Sequence, residues 1–380
     1  MTTISEPTVT VTDVDKIKTK TYGNAGKIAL IGAFPTNAVQ IASYTRCSDA
    51  KEALKTDTIP DECVSYGCLD YIFNQDSQSK GPEEVIIVNT NYNKETLSYT
   101  IDNGALANAL NALTDEDFDI LTIADTLNLG TGATLNSMWN TLHSFVVSQY
   151  TNQKPCGIIT SVSIDSTNQN NESLLTAFKT LFADKGIYKA VITPVWIKGD
   201  VSELTLAQSG CWHSAFTAGR PVNKSETGKI YKSLQGNDTK SIYPLSKESG
   251  AIDWEALMIN GFHTTKYHNR RLMQVKCINN VTPTGMDMKI ERVKNYIVKK
   301  LSFDDVFGED NNEPTLDFVK GLFEYEKDLA ISNKYLSDMT YEITQCSIDC
   351  IRAQLHLVIP DVVKQVHLDV SIEITPYEEE

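Results

Sequence analysis

Apolar and polar residues alternate without a break over residues 366–374, close to the C-terminal end of the chain. This period of two predicts a strand with one buried face. Residues 7–12 carry a shorter version of the same pattern. A lone extended strand leaves its backbone polar groups unpaired, so we expect both strands to pair with sheets, and specifically with the sheets of neighbouring copies. The apolar residues of the two strands are Val9, Val11, Val366, Leu368, Val370, Ile372 and Ile374.

Short, continuous apolar runs recur through the first half of the chain and are typical of strands buried on both faces. They lie at residues 27–34, 84–89, 118–124, 156–160 and 189–197. Between them, apolar residues recur at helical spacing over 105–113, 135–146 and 173–182, and Ser48 is the predicted N-cap of a further helix. The alternation of strands and helices predicts an α/β domain over residues 25–220 with a parallel or mixed sheet.

The second half of the chain is patterned less regularly. It follows a helix predicted over 204–218, for which Gly219 is the expected C′ residue. Helices are predicted over 289–301 and from Pro314, as first helical residue, towards Leu329. Strands are predicted at 254–262, 271–278 and 343–359.

The predicted fold class is therefore α/β, with a mixed α+β core and strand-forming N- and C-terminal arms. We divide the chain into four parts. They are an N-terminal arm and linker (1–24), a first, α/β half of the core (25–220), a second, α+β half of the core (221–359) and a C-terminal arm (360–380).

Composition sets limits on this picture. The chain has 380 residues, 41% of them hydrophobic, and no apolar run is long enough to cross a membrane. The first residues lack a basic region followed by an apolar one, so we expect no secretory signal. The eight cysteines are scattered, which favours reduced thiols in a protein made in a cytoplasm.

Charge is unevenly distributed along the chain. The formal net charge of −15 argues against a nucleic-acid binder. Residues 264–300 nevertheless hold nine Lys or Arg against two acidic residues, whereas residues 304–328 hold nine acidic residues against two Lys. Two interpretations stay open: complementary contacts between copies of the chain, or two solvated faces. The candidate charged interface comprises Arg270, Arg271, Lys276, Arg292, Asp304, Asp305, Glu309 and Asp310.

Two partial nucleotide-binding motifs fall short of their patterns. Residues 225–229 end like a phosphate loop, but Asn223 and Ile230 occupy the positions of its first glycine and its final Ser or Thr. Gly130 and Gly132 lie between a strand and a helix, where a dinucleotide-binding turn belongs, but Leu135 replaces the third glycine. We interpret both segments as ordinary turns.

The remaining polar clusters do not predict metal binding or catalysis. The acidic stretch 304–313 has its single glycine in the wrong place for a calcium loop. His263 and His268 lack the glutamate of a zinc peptidase motif, and Cys346 and Cys350 lack a matching second pair. The sequence has no Gly-x-Ser-x-Gly elbow. We therefore expect no enzyme activity, no cofactor and no metal.

Five segments, taken in order, carry a resemblance to one family. They are Gly-Lys-Ile-Ala-Leu-Ile-Gly-Ala-Phe-Pro at 26–35, Glu-Val-Ile-Ile-Val-Asn at 84–89, Asp-Phe-Asp-Ile-Leu-Thr-Ile-Ala-Asp at 117–125, the helix-to-turn stretch 214–228, and 259–265. With the helix near Arg292 and the strand pair ending at Ile374, they resemble the contractile tail sheath proteins of myophages, R-type bacteriocins and related contractile injection systems.

The resemblance implies a structural protein rather than an enzyme. Such a subunit polymerises as stacked hexameric rings around an inner tail tube, and contraction drives the tube through a target cell envelope. Its implied partners are further copies of itself, the tail tube protein, and baseplate and tail terminator proteins, without nucleic acid or membrane insertion. The resemblance also implies assembly in the cytoplasm of a bacterial host, into a virion tail or a released bacteriocin particle, with terminal arms added to the sheets of neighbours.

Two other functions stay open on the sequence alone. One is a tail or baseplate component that exchanges strands without contracting, and the other is an α/β enzyme whose site residues are scattered. Tubes that lengthen with concentration favour the sheath subunit. A closed ring favours the first alternative, and a monomer with a deep polar pocket favours the second.

Overall fold

A computed structural model describes residues 26–73, 76, 78–163, 172–183, 187–191, 196–197, 204–227, 229–235, 257, 260–269, 274–279, 287–301, 313–347 and 350–360. The strands predicted at 7–12 and 366–374 lie outside these ranges.

Eight helices lie in the described part of the chain. They are α1 (Cys47–Leu54), α2 (Val64–Ile72), α3 (Asn103–Ala112), α4 (Ser137–Thr151), α5 (Glu172–Leu181), α6 (Leu206–Ala218), α7 (Met288–Lys300) and α8 (Glu313–Ser332).

Fifteen strands accompany them in the same ranges. They are β1 (Lys27–Gly32), β2 (Ile41–Tyr44), β3 (Glu84–Asn89), β4 (Ile120–Ile123), β5 (Thr126–Asn128), β6 (Gly130–Thr131), β7 (Thr134–Leu135), β8 (Gly157–Ser163), β9 (Ile187–Val191), β10 (Trp196–Ile197), β11 (Ile230–Gln235), β12 (Phe262–Asn269), β13 (Gln274–Asn279), β14 (Asp338–Ser347) and β15 (Cys350–Val358).

One large mixed sheet forms the body of the subunit. Its strand order is β10-β11-β13-β12-β9-β8-β4-β1-β3-β2, with β5 also paired to β8. The central strands from β12 to β3 run parallel, and antiparallel strands close both edges. Strands that follow residue 220 therefore join strands that precede it in a single sheet. The division of the core at residue 220 stays a prediction.

Helices cover both faces of this sheet. In β1, Ile28 and Leu30 pack with α1, α2 and α6, whereas Ala29 and Ile31 pack with α3, α4 and α5, and all four side chains are fully buried. Burial on both faces explains why β1 is a continuous apolar run instead of an alternating one. The predicted α/β class is confirmed.

The strand predicted over 189–197 is two strands. β9 runs parallel to β8 and β12, whereas β10 pairs antiparallel with β11 at the edge of the sheet. The sequence has a proline at position 194, which cannot donate a ladder hydrogen bond and is disfavoured inside a central strand. One apolar run therefore supplies strands to two places in the sheet.

The predicted caps at Ser48 and Gly219 are wrong, whereas the predicted start at Pro314 is one residue from the observed one. Ser48 lies inside α1, where its hydroxyl donates to Asp49, and the N-cap position belongs to Arg46 without a side-chain hydrogen bond. Gly219 follows α6 with φ of −76°, so it is not a left-handed C′ residue. Helix α8 begins at Glu313, one residue before Pro314, a shift within the range over which helix ends fray.

A second, smaller layer follows the large sheet in the chain. Helices α7 and α8 and the hairpin β14–β15 share an apolar cluster that includes Val293, Ile297, Val319, Phe323 and Met339. The hairpin occupies the region predicted as strand over 343–359, but it starts earlier, at Asp338. This layer has its own core and presents the hairpin at the surface.

Candidate functional site at the roots of the terminal arms

The hairpin β14–β15 is amphipathic, and no further described strand joins it. Met339, Tyr341 and Ile343 on β14 share a face with Ala353 and Leu357 on β15, and all five contact the apolar cluster with α7 and α8. In the described part of the chain, each of these two strands pairs only with the other. An outer edge that no described strand covers is the usual template for an added strand.

Helix α8 supports the inner face of the hairpin. Phe323 packs against Tyr341 with ring centroids 5.1 Å apart, and the Tyr341 hydroxyl donates to Glu324 Oε1 at 2.6 Å. Burial and this charge-assisted hydrogen bond raise the pKa of Tyr341 to about 12. An isolated two-stranded hairpin is marginally stable in water, so these contacts hold the hairpin in a defined position.

The N-terminal root, defined as Gly26 and Lys27, is fixed to the large sheet. Gly26 N donates to Ala218 O at 2.7 Å, and Glu83 N donates to Gly26 O at 3.3 Å. Lys27 N donates to Asp119 Oδ2 at 3.0 Å. A Cβ atom at position 26 would lie 2.8 Å from the same oxygen, so only glycine fits this close approach without a shift of Asp119.

The C-terminal root, defined as Ile359 and Pro360, is fixed to α7. The ammonium group of Lys289, in the first turn of that helix, donates to Pro360 O. The Lys289 side chain is buried although lysine is rarely so. The backbone N–H of Lys289 donates to Asp287, the N-cap of α7, at 2.9 Å.

The other end of α7 is fixed to the start of β4. Lys299 Nζ donates to Asp117 Oδ1 at 2.8 Å, to Phe118 O at 2.7 Å and to Asp119 Oδ1 at 3.1 Å. Burial lowers the pKa of Lys299, but the two carboxylates prevail and hold that pKa above its ordinary value. Asp119 therefore uses one oxygen for Lys299 and the other for the N-terminal root.

The segment that follows α6 connects the sheet with α7. The guanidinium of Arg292 donates to Arg220 O at 2.9 Å, and burial lowers the Arg292 pKa to about 10. Glu226 is buried and accepts hydrogen bonds from the hydroxyls of Thr217 and Tyr231. These contacts place residues 214–227 between the sheet and the smaller layer.

The partial phosphate loop at 225–229 has another role in the structure. The hydroxyls of Ser225 and Thr227 both donate to Asp287 Oδ2 at 2.7 Å. A buried carboxylate thus occupies the side of the turn where a phosphate would need positive or neutral donors. The turn fastens the N-terminus of α7, which agrees with its interpretation as an ordinary turn.

The nucleotide position of an open α/β sheet is filled by the chain itself. Ligands of such sheets bind beyond the carboxyl ends of strands where the strand order reverses, here β1 and β4. Ser65 Oγ lies at this point, accepting from Ala33 N at 2.9 Å and donating to Ala124 O at 3.0 Å.

The other candidate segment, Gly130 to Gly132, lies in the hairpin β6–β7, where both glycines have positive φ.

The structure describes only part of the predicted interface. Arg292 is engaged inside the subunit, and Lys276 lies on β13, paired with Ile230 and Lys266 across the sheet. The remaining predicted site residues lie outside the described ranges: Val9, Val11, Arg270, Arg271, Asp304, Asp305, Glu309, Asp310, Val366, Leu368, Val370, Ile372 and Ile374.

Sequence reasoning missed Asp119, Lys289 and Lys299 as candidate functional residues. The two lysines fall within the basic block, and Asp119 lies at the edge of an apolar run. Lys289 and its acceptor are 71 residues apart in sequence, and Lys299 and Asp119 are 180 apart. No local pattern in a single sequence reports contacts over such separations.

Within the described ranges, no three His, Cys, Asp or Glu side chains are placed to hold a metal ion together. Cys47, Cys63, Cys68, Cys156, Cys211 and Cys277 carry free thiols. None of the helices that the structure describes has the length and apolar character of a membrane span.

Comparisons with known proteins connect this architecture to one kind of assembly. No family model and no curated protein matches the sequence. The contracted helical sheath of the anti-feeding prophage matches with a TM-score of 0.62 at 11% identity, over 92% of this chain and 93% of that one. The sheath tail protein from Listeria innocua matches with a TM-score of 0.59 at 11% identity, over 92% and 98%.

A third match supports the same conclusion. The sheath tail protein from Desulfitobacterium hafniense has a TM-score of 0.55 at 11% identity, over 90% of this chain and 97% of that one. Identity at this level is informative about fold alone, and the matches span nearly the whole of each chain. This chain therefore has the fold of contractile tail sheath proteins.

Proposed function

We propose that this protein is the structural subunit of a contractile tail sheath. It polymerises as stacked hexameric rings around an inner tail tube and contracts to drive the tube through a target cell envelope. The observation that carries the proposal is a hairpin whose two strands pair, within the described ranges, only with each other. It lies on the same layer as a fixed C-terminal root, in a fold shared with sheath proteins.

The arms of neighbouring copies complete the hairpin in this assembly. The strand predicted over 366–374 has one apolar face, which continues the apolar face of β14 and β15 when it pairs at either edge. Each of its five apolar side chains contributes at most about 1.5–3 kcal/mol on full burial. Backbone hydrogen bonds add to this, so the arm supplies a strong contact from a short segment.

The geometry of such contacts generates a sheath. A head-to-tail contact that does not close produces a helix of subunits instead of a finished ring. Contraction is then a switch between two rigid-body packings of the same bodies, of which the extended packing is metastable. The free energy released on contraction is stored during assembly, so the cycle requires no nucleotide.

The same proposal names the partners and the place of assembly. Further copies of the chain, the tail tube protein, and baseplate and tail terminator proteins contact the sheath. Assembly takes place in the cytoplasm of a bacterial host, and the finished sheath belongs to a virion tail or a bacteriocin-like particle. The subunit acts mechanically and has no catalytic role.

Electron microscopy of the purified chain tests the proposal. We expect hollow tubes whose length and number rise with protein concentration, because an open helical contact has no natural end. Closed rings that never lengthen would instead indicate a non-contracting tail or baseplate component. A monomer at all concentrations would contradict any role in a polymer.

A further inference from the structure

Helix α7 contacts the C-terminal root near one end and is linked to the N-terminal root through Asp119 near the other. Lys289 in its first turn donates to Pro360 O of the C-terminal root. Lys299 in its last turn donates to Asp119, whose other oxygen accepts from Lys27 N of the N-terminal root. The two lysines lie about 15 Å apart along the helix at a rise of about 1.5 Å per residue.

The middle of α7 adds a second connection to the N-terminal root. Arg292 donates to Arg220 O at 2.9 Å, and Gly26 N donates to Ala218 O, two residues earlier, at 2.7 Å. If the partly buried guanidinium of Arg292 left this contact, the backbone carbonyl of Arg220 would lose a hydrogen-bond donor, which is costly. The N-terminal root is therefore tied to α7 both through α6 and through Asp119.

Charge makes these ties stronger than ordinary hydrogen bonds. Lysine donors to carbonyl and carboxylate oxygens form charge-assisted hydrogen bonds, which are about twice as strong as neutral ones. The Lys299 side chain is only 14% exposed, but the side chains of Asp117 and Asp119 are 67% and 47% exposed, so salt screens these two ion pairs in part.

We propose that Lys289 and Lys299 are positioning residues that make α7 a strut fixing the distance between the two arm roots. The inference rests on the proposed function, because the spacing of the roots matters only when the arms engage neighbouring copies. Force applied to the C-terminal arm then passes along α7 to the N-terminal arm. The strut sets where one subunit presents its two arms, and with it the spacing between the neighbours that receive them.

The distance between the roots tests this directly in the unassembled full-length chain. Spin labels are attached through a keto amino acid at two exposed positions: Glu83, whose backbone bonds to Gly26 of the N-terminal root, and Val358, the last residue of β15 before the C-terminal root. This chemistry avoids the native thiols, and electron paramagnetic resonance gives the distance distribution between the labels.

We expect Lys289→Met or Lys299→Met to broaden the distribution and lose its main peak. Lys300→Met is the matched control, because Lys300 is an exposed neighbour on α7 whose ammonium faces the Tyr296 ring and not a root.

The distance measurement is informative only for variants that remain folded. Circular dichroism and the thermal midpoint establish this, and Lys299→Gln replaces Lys299→Met if the latter unfolds. Folded Lys289 and Lys299 variants whose distributions match that of the control would overturn the strut.

A double-mutant cycle on assembly provides the second test. One lost charge-assisted hydrogen bond of about 1.4 kcal/mol corresponds to about a tenfold rise in the critical concentration for polymerisation. We expect each single substitution to give such a rise and the double variant to add little, because the spacing is already lost. Rises that multiply would contradict a single strut. If the wild-type chain does not polymerise, the sheath proposal fails, and the distance measurement alone decides whether the strut exists.

Discussion

The carboxylate of Asp119 joins two parts of the chain that are far apart in sequence. One oxygen accepts from Lys299 at the end of α7, and the other accepts from the backbone of Lys27 at the start of β1. Neither contact follows from a motif, since each depends on how helices and strands pack. A single side chain can therefore carry a structural function that its own sequence neighbourhood does not reveal.

Gly219 is a second residue whose role depends on a distant segment, here through the space available for a side chain. The sequence indicated a left-handed helix end, but φ is −76°, and the need for glycine is steric. A Cβ atom there would lie 2.2 Å from Gly81 N and 2.3 Å from Ser79 Oγ. Glycine is required because another segment passes against the end of α6.

Gly219→Ala should therefore destabilise the protein. We expect the free energy of unfolding to fall by about 1–3 kcal/mol, the typical cost of overpacking a rigid site. Gly321→Ala is the control, since a Cβ atom on that exposed α8 residue meets nothing within 4 Å. That variant should gain up to about 1 kcal/mol from helix propensity. Urea unfolding of both variants is the measurement, and equal midpoints would disprove the steric explanation.

Lys299→Met removes three hydrogen bonds while keeping most of the side-chain length. We expect a loss of about 1–3 kcal/mol near neutral pH, as is typical of hydrogen bonds to charged groups. Burial raises the pKa of Asp117 and Lys299 lowers it, and the lysine prevails, so this pKa lies below the ordinary 3.8.

The sign of the pH dependence follows from that shift. A carboxylate with a lowered folded-state pKa stabilises the protein above its unfolded-state pKa, and this contribution is lost as pH falls through the folded-state value. The difference in unfolding free energy between wild type and Lys299→Met should therefore shrink as pH drops below 3.8. A difference that is constant down to the acid transition would show that the Asp117 pair is unimportant.

At the scale of elements, the hydrophobic pattern correctly predicted the strands whose sequence is set by burial on both faces. β1, β3, β4 and β8 are apolar runs because helices cover both their faces, and their positions were predicted correctly. β2 was not predicted, because it is a four-residue edge strand with an alternating pattern too short to recognise. The split between β9 and β10 depends on partners from later in the chain, which no local pattern contains.

The hairpin and the C-terminal arm give a prediction at this scale. Deleting residues 366–380 should leave a folded body that does not form tubes, because the proposed assembly depends on this strand completing the hairpin of a neighbour. Deleting only residues 376–380 is the control, since it removes the acidic tail and keeps the alternating strand. Circular dichroism reports folding, and electron microscopy reports assembly. Normal tubes from the longer deletion would refute the role of the arm.

At the scale of the whole molecule, the described chain forms two layers with different features. The large sheet forms a body covered by helices on both faces, and the smaller layer carries the hairpin and the C-terminal root. Helix α7 belongs to the smaller layer and connects it to the sheet through Arg292 and Lys299. In the proposed sheath, this connection would let the two layers move as one piece while the arms remain engaged with neighbours.

The charge blocks are also best understood for the molecule as a whole. Lys289, Arg292 and Lys299 all serve contacts inside the subunit, and Lys294 pairs with Glu291 on the same helix. These four basic side chains are therefore already engaged within the subunit. Lys300 is exposed in that block.

Salt therefore tests whether the remaining basic residues meet the acidic block of a neighbour. The Debye length falls from about 10 Å at 0.1 M to about 3 Å at 1 M ionic strength, so exposed charge pairs weaken over this range. We expect the critical concentration for tube formation to rise over the same range, and the rise to be smaller for Lys300→Gln. Lys55→Gln is the control, because Lys55 pairs with Glu52 on the surface far along the chain from either block. Sedimented polymer that does not change with salt would leave the two blocks as solvated faces, with the arms alone responsible for assembly.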